Sequence, residues 1–220
     1  MQWHKIFSRK SPVWKAKTKY NSLEVVWQGG RMVLNALHVN YSFGSLHRVF
    51  QSAFQQLNPD FDVIRNVLIL GFGAGSVAQI LQHEKHCNCS ITGVEIDEKV
   101  LELGRRFFQL DRLKNLKLNV TDADDFLSGT DERFDMIVVD LFLDDRIPEK
   151  FLQLAFLNRL SQHLTSDGVV LFNYLLYDFR SRQQKELFVA AFRSVFQEVR
   201  HLTVRKEPAN YLLAGKKRSR

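Results

Sequence analysis

Residues 67–76 read Val-Leu-Ile-Leu-Gly-Phe-Gly-Ala-Gly-Ser, an apolar run that stops on three glycines at alternate positions. A short apolar run closed by glycine suits a buried strand. Glycines after a strand permit a tight turn and let backbone come close to a ligand. A helix starting there adds a partial positive charge at the same point. A strand, a glycine loop and a helix in that order constrain the chain to an α/β architecture with a ligand site beside the loop. The spacing is G-x-G-x-G. A dinucleotide site calls for G-x-G-x-x-G, and Ser76 stands in the third glycine's place, which lowers the NAD reading.

The remaining pattern agrees. Strand candidates are Val67–Leu70, Ser90–Glu95, Leu116–Val120, Met136–Asp140 and Val169–Asn173. Helical stretches fall around 75–84, 97–109, 148–163 and 180–196, the third beginning at Pro148, a favoured first-turn residue. Strands alternating with helices predict a doubly wound, mostly parallel sheet with helices on both faces. Val199–Val204 and Ala209–Ala214, either side of a Lys-Glu-Pro break, predict a closing antiparallel pair. Ahead of the glycine loop, residues 22–39 read as a β-hairpin turning at Gly29-Gly30. Leu46, Val49, Phe50, Ala53, Phe54 and Leu57 then mark one helical face, ended by Asn58-Pro59. The expected organisation is a basic tail, hairpin and entry helix over 1–60, a Rossmann-like domain over 61–215 and a basic tail over 216–220.

Charge narrows the partners. The net charge is +7, but residues 1–20 hold six Lys/Arg and no acid, and residues 216–220 hold four more. The body between them carries 21 basic and 24 acidic residues. The basic character therefore belongs to the ends, and a nucleic-acid partner is not expected. No apolar run approaches the ~20 residues of a membrane span, and the N-terminus lacks the apolar stretch of a secretory signal. Two cysteines, Cys87 and Cys89, make no disulfide framework, so a cytoplasmic setting is expected. The run His83–Cys89 has no second ligand pair at metal-site spacing, and no metal is expected.

Four further positions sit at the carboxyl ends of predicted strands, where open α/β sheets bind ligands. Gly71 follows the first and Glu95 the second, with Ile96 next to it. Asp122 and Ala123 follow the third, and Asp140 ends the fourth. An acid at the tip of the second strand can accept both hydroxyls of a ribose. Asp97 reads as the N-cap of the next helix, and Asp122 or Asp124 carries the same alternative. Tyr174 and Tyr177 follow the fifth strand, where they could meet a substrate or simply pack.

The segments VLILGFGAGS, VEID, TDADDFL and FDMIVVD together resemble the spermidine synthase-like branch of the S-adenosylmethionine-dependent methyltransferase superfamily, from about Tyr20 to residue 215. The resemblance implies a class I methyltransferase fold with a reversed last strand and a shortened N-terminal β-extension. It implies that Gly71, Phe72, Gly73 and Gly75 line the nucleoside and sulfonium pocket. Glu95 and Ile96 would hold the ribose side, and Asp122 and Ala123 the adenine. Asp140 matches the acid that helps deprotonate an attacking amine, and His47 survives from a Tyr-His-Glu triplet. N-terminal hairpins of this family often join subunits, which makes a homodimer an expectation.

Departures from the pattern point to the reaction. Aminopropyltransferases read GGGDG in the loop; here Phe72 and Ala74 replace a glycine and the acid. Their Tyr-His-Glu becomes Leu46-His47-Arg48, and their Asp-Ser/Thr-Ser/Thr-Asp-Pro becomes Asp140-Leu141-Phe142-Leu143-Asp144. Fewer acids and an added arginine suit a less cationic acceptor than a polyamine. Loss of the loop acid removes repulsion against the carboxylate of intact S-adenosylmethionine. The favoured reading is methyl transfer to a small-molecule nucleophile. The alternative is aminopropyl transfer from decarboxylated S-adenosylmethionine, and a further one is nucleoside binding without catalysis.

Overall fold

Val67, Leu68, Ile69 and Leu70 point alternately to the two faces of a strand, and all four are fully buried. Both faces of the central sheet must therefore be covered. The computed structural model describes residues 12–36, 40–143, 146–176, 179–202, 204 and 210–218, and it shows how. Asp144, Tyr177 and the Lys-Glu-Pro break lie outside the described residues.

The N-terminal part is an antiparallel sheet of β1 (Pro12–Lys17), β2 (Ser22–Gln28), β3 (Arg31–Asn35) and β4 (Asn40–Ser42), in that order. The predicted hairpin is β2–β3. Gly29 (φ 57°) and Gly30 (φ 78°) supply the two left-handed residues that its tight turn requires. β1 corrects the tail reading of residues 12–17. Trp14 and Ala16 are half-buried between exposed neighbours, and the lysines between them face solvent on an edge strand. Lysine spacing there is the mark of a protected edge, which a charge count alone does not distinguish from a tail.

Helix α1 (Gly44–Leu57) follows and ends at left-handed Asn58. The main sheet comprises β5 (Asn66–Leu70), β6 (Ser90–Glu95), β7 (Leu116–Val120), β8 (Phe134–Val139), β9 (Leu164–Leu175), β10 (Phe196–Leu202) and β11 (Asn210–Lys217). Their order is β10-β11-β9-β8-β5-β6-β7. Strands β5 to β9 run parallel, while β11 is antiparallel to β9 and to β10. This is the doubly wound sheet with a reversed last strand. β11 takes in Lys216 and Lys217, which the sequence reading assigned to a tail.

The helices between strands are α2 (Ser76–Gln79), α3 (Glu98–Phe108), α4 (Ala123–Ser128), α5 (Leu154–Gln162) and α6 (Phe179–Val195). α1 and α2 cover one face, over Val67, Ile69 and Val138. α5 and α6 cover the other, over Leu68, Leu70, Ile137 and Val139. The small sheet packs Leu23, Val25 and Leu34 against Val100, Leu103 and Phe108 of α3. Three local predictions change. The helix expected over 75–84 passes into a π-helical turn at Ile80–Glu84. The helix expected over 148–163 is a 3₁₀ turn, Glu149–Leu152, then extended Gln153 (φ −79°, ψ 149°), then α5. Short α4 was foreshadowed only by the alternative reading of Asp122 or Asp124 as a helix cap, and Asp122 is that cap. Among the described residues no helix is long and apolar enough to cross a membrane.

Phe72 is buried beneath the glycine loop because β6 offers Gly93. A Cβ there would lie 2.3 Å from Phe72 Cδ2 and 2.8 Å from Leu118 Cδ2. The Gly93→Ala variant is expected to lose about 2–3 kcal/mol from this overpacking, read as a lower urea midpoint at unchanged slope. An unchanged midpoint would show that Phe72 is free to move aside.

Candidate functional site

The carboxyl ends of β5, β6, β7 and β8 converge on one pocket of about 280 Å³, lined by Gly71, Gly73, Glu95, Ile96, Asp122 and Asp140 among others. β5 sits between β6 and β8, so the chain leaves β5 and β8 at the point where the strand order reverses. Gly71 (φ 80°) fits because it has no side chain: a Cβ would stand 2.1 Å from the Asp140 carbonyl oxygen. Ala123 also lines the pocket.

Glu95 is buried and faces both the loop and the pocket. Its Oε2 accepts from Gly73 N–H (2.9 Å), and its Oε1 accepts from Asp97 N–H (3.1 Å) and the Tyr41 hydroxyl (3.4 Å). Burial pushes its carboxyl up to about 7, against the pull of the backbone donors. The Tyr41 phenol is pushed up by burial and by Glu95 and Asp97. Asp97 caps α3 by accepting from Lys99 N–H, and it takes the Thr18 hydroxyl at 2.5 Å, which ties the small sheet to the main one. Asp122 caps α4 through Asp124 N–H (2.9 Å), and its Oδ2 pairs with Lys150 Nζ at 2.7 Å. Cap and pocket wall are thus the same residue.

Asp140 is held from β9. Its Oδ1 accepts from Asn173 Nδ2 at 2.9 Å, and Asn173 Oδ1 accepts from Asn210 Nδ2 at 3.0 Å. Burial first, and Glu95 in smaller part, push the Asp140 carboxyl up to about 7, while the Asn173 amide pulls it down. Leu141, Phe142, Leu143, Pro148 and Phe151 add an apolar part to the lining.

Four sequence candidates lie elsewhere. Phe72 packs under the loop, and Gly75 (φ 96°) turns the chain into α2 between Leu110 and Phe72. His47 is a buried clasp: its Nδ1 lies 2.8 Å from Ser76 Oγ and its Nε2 2.7 Å from Glu84 Oε1. The π-helical turn carries Glu84, which also accepts from Gln51. Tyr174 is in the core, donating to the Ser181 carbonyl (2.8 Å) and stacked on Phe188. Arg48 is exposed and does not line the pocket, so it adds no charge there. Cys87 and Cys89 are buried as free thiols. Conversely, sequence reasoning missed Tyr41, Lys150, Asn173 and Asn210. Asn173 ends the predicted fifth strand, a signal that was available and went unused, and Pro148 marks the turn carrying Lys150. Tyr41 and Asn210 stand neither at a parallel strand's tip nor in a motif.

The family model described as spermine/spermidine synthase domain matches residues 50–198. The polyamine aminopropyltransferase of Vibrio vulnificus is 30% identical over 154 residues, covering 67% of this chain and 48% of that protein. The eEF1A lysine and N-terminal methyltransferase homolog of Drosophila melanogaster is 27% identical over 146 residues, covering 60% and 22%. The crystal structure of human methyltransferase-like protein 13 in complex with SAH superposes with a TM-score of 0.67 at 22% identity, covering 80% of this chain and 83% of that one. The chain spans about half or less of the length of the curated relatives it matches.

Glu95 and Asp140 keep their protons in the folded protein up to about pH 7, whereas ordinary carboxyls release them near 4.5 and 3.8. The folded state therefore binds more protons in that window, and these groups lower stability as pH rises from about 4 to 7. The Glu95→Gln, Asp140→Asn double variant should gain on the parent protein as pH goes from 5 to 7.5, by about 5 °C in thermal midpoint. A constant difference across that range would mean that the two carboxyls titrate normally.

Proposed function

The chain belongs to the spermine/spermidine synthase domain family, and we propose that it is an S-adenosylmethionine-dependent transferase that alkylates an amine or similar small nucleophile, with methyl transfer the favoured reaction. One observation carries this: Glu95, Asp122 and Asp140 meet at a single pocket against a bare-backbone glycine loop, with Asp140 half-buried and hydrogen-bonded from behind. S-adenosylmethionine supplies an electrophilic carbon on a cationic sulfur. The residues present suit it. Glu95 offers two carboxylate oxygens to a ribose diol, and Asp122, held by Lys150, offers an acceptor to the adenine amine. Gly71 and Gly73 present backbone without side chains to the nucleoside.

The chain's own chemistry is positioning and proton transfer. A neutral amine attacks the carbon as the carbon–sulfur bond breaks, and its bonding electrons stay on sulfur. The amine nitrogen gains positive charge and gives up a proton to Asp140. A carboxyl near 7 is a better acceptor than an ordinary carboxylate and is still half ionised at neutral pH. One observation and one likeness favour the intact methyl donor over the decarboxylated one. Leu141, Phe142 and Leu143 give that stretch of the lining no charge to draw in a polycation. The resemblance to aminopropyltransferases puts Ala74, which is fully buried, in place of a loop acid that would repel the donor's carboxylate. Relatives bearing both kinds of name keep aminopropyl transfer as the second reading.

Calorimetry with S-adenosylmethionine, its decarboxylated form and NADH on one preparation tests the assignment. Tighter binding of the intact form is expected; preference for the decarboxylated form would replace methyl with aminopropyl transfer, and binding of NADH alone would overturn both. Glu95→Ala should weaken cofactor binding by about 1–3 kcal/mol, and unchanged affinity would remove the ribose role.

With 1,4-diaminobutane and Nα-acetyl-lysine as amine acceptors, Asp140→Asn should lower kcat by about 10²–10⁴ while leaving cofactor affinity nearly intact. The parent rate should rise with pH through about 7 as Asp140 ionises. Equal loss of binding and turnover in Asp140→Asn would argue that it holds the cofactor and takes no proton.

A further inference from the structure

Asn210 lies on β11, the reversed strand, and Asn173 on β9, next to it in the sheet. Asn173 is fully buried, and its amide has one partner at each end: Asn210 Nδ2 at its oxygen and Asp140 Oδ1 at its nitrogen. A side-chain amide is nearly symmetric in shape, so its orientation is set by its hydrogen-bond partners. We infer that Asn210 is a positioning residue that locks the Asn173 amide so that its N–H, and not its carbonyl, faces the Asp140 carboxylate. This deepens the proposed function and rests on its reading of Asp140 as the proton acceptor.

With the donor of Asn210 in place, a turned Asn173 would set its NH₂ against the NH₂ of Asn210 and its carbonyl against the carboxylate of Asp140. Both contacts would be repulsive in a buried setting. Without that donor, only Asp140 still selects the amide's orientation. A protonated Asp140 can donate to the turned amide, so the lost lock would favour the acid over the carboxylate. The strand that closes the sheet would in this way set the ionisation of a residue on the opposite side of β9. Among the described residues, the titratable groups facing Asp140 are Glu95 at the end of β6, which pushes it up, and Tyr41 of β4, whose phenol feels the same carboxylate. β5 contacts Asp140 through backbone, at Leu70 and Gly71. Lys150 and Asp122, also on the pocket wall, are paired with each other. Asn210 and Asn173 are uncharged, so they act through orientation alone.

The test is a titration of Asp140 by carboxyl ¹³C chemical shift in the full chain, with Asp140→Asn identifying the signal. Asn210→Leu removes the donor at similar size. Asn210→Asp presents an acceptor and should turn the Asn173 amide round. The Asp140 midpoint is expected to rise by about one pH unit in Asn210→Leu, tenfold in ionisation constant, and further in Asn210→Asp. The acid limb of kcat for the amine acceptors should move with it, at unchanged affinity for S-adenosylmethionine, and Asn210→Gln, which keeps a donor, should restore it. An Asp140 midpoint unmoved in Asn210→Leu overturns the inference, because Asn210→Asp also adds a charge that raises the midpoint by itself. Asn210 is only part-buried, and Asn210→Ala replaces the leucine variant if that one does not fold. The two readings fail separately. A shifted midpoint with unshifted turnover keeps the lock and removes the base. An unmoved midpoint with turnover abolished in Asp140→Asn keeps the base and removes the lock.

Discussion

The backbone of Gly71 packs against the backbone of Asp140, and the rest of the site follows from that contact. A side chain at position 71 would overlap the Asp140 carbonyl oxygen at 2.1 Å. Only glycine lets β5 and β8 stay paired to their last residues, where Asp140 N–H donates to Leu70 O at 2.8 Å, and then part in opposite directions. The parting opens the pocket. It also puts the glycine loop and Asp140 on the same pocket.

Electrostatics completes what the backbone begins. Two carboxyls, buried Glu95 and half-buried Asp140, share one pocket, and each is raised mainly by loss of water. Among the described residues the cation on the pocket wall is Lys150, and it is taken up by Asp122. The described pocket thus carries unmatched acidic capacity, an arrangement that costs stability at neutral pH. A positively charged sulfur would supply the missing counter-charge, and a developing ammonium would do so again at Asp140. On the proposed function, the cost of holding these carboxyls away from water is what gives a cationic ligand its differential affinity.

Much of this was legible in the sequence because position along a parallel strand is itself information. The runs ending at Gly71, Glu95 and Asp140, and the residues just past β7, needed only strand ends to be recognised for Asp122 and Ala123 to fall beside them. His47 was harder. Its spacing placed it on α1 next to Leu46, but its partners Ser76 and Glu84 come from α2 and from a π-helical turn, which no periodicity announces. Tyr174 looked like a pocket aromatic because it follows a strand tip, yet strand alternation turns it into the α6 side of the core while its neighbour Asn173 faces Asp140. Lys150 was hidden inside an apparent helix that is a 3₁₀ turn plus α5, divided at extended Gln153. Asn210 was invisible for the plainest reason: its role depends on strand register between β11 and β9.

The small N-terminal sheet is part of the same machinery. Three of its contacts fall on the glycine loop and the tip of β6: Tyr41 on Glu95, Ser42 Oγ on Ala74 N–H at 3.2 Å, and Thr18 on Asp97. Each satisfies a buried polar group that the Rossmann-like part leaves open. Tyr41 also helps keep water from Glu95, and loss of water is the largest cause of that carboxyl's raised pKa. Without β4 in place, Glu95 would be hydrated, its carboxyl would fall toward the ordinary range, and the loop would lose the Ser42 support for its backbone. The sheet's β1 to β3 therefore serve the site indirectly, by fixing β4 through Leu23, Val25 and Leu34 on α3. An extension that reads as an appendage in composition acts in the fold as the roof that gives the pocket its low dielectric.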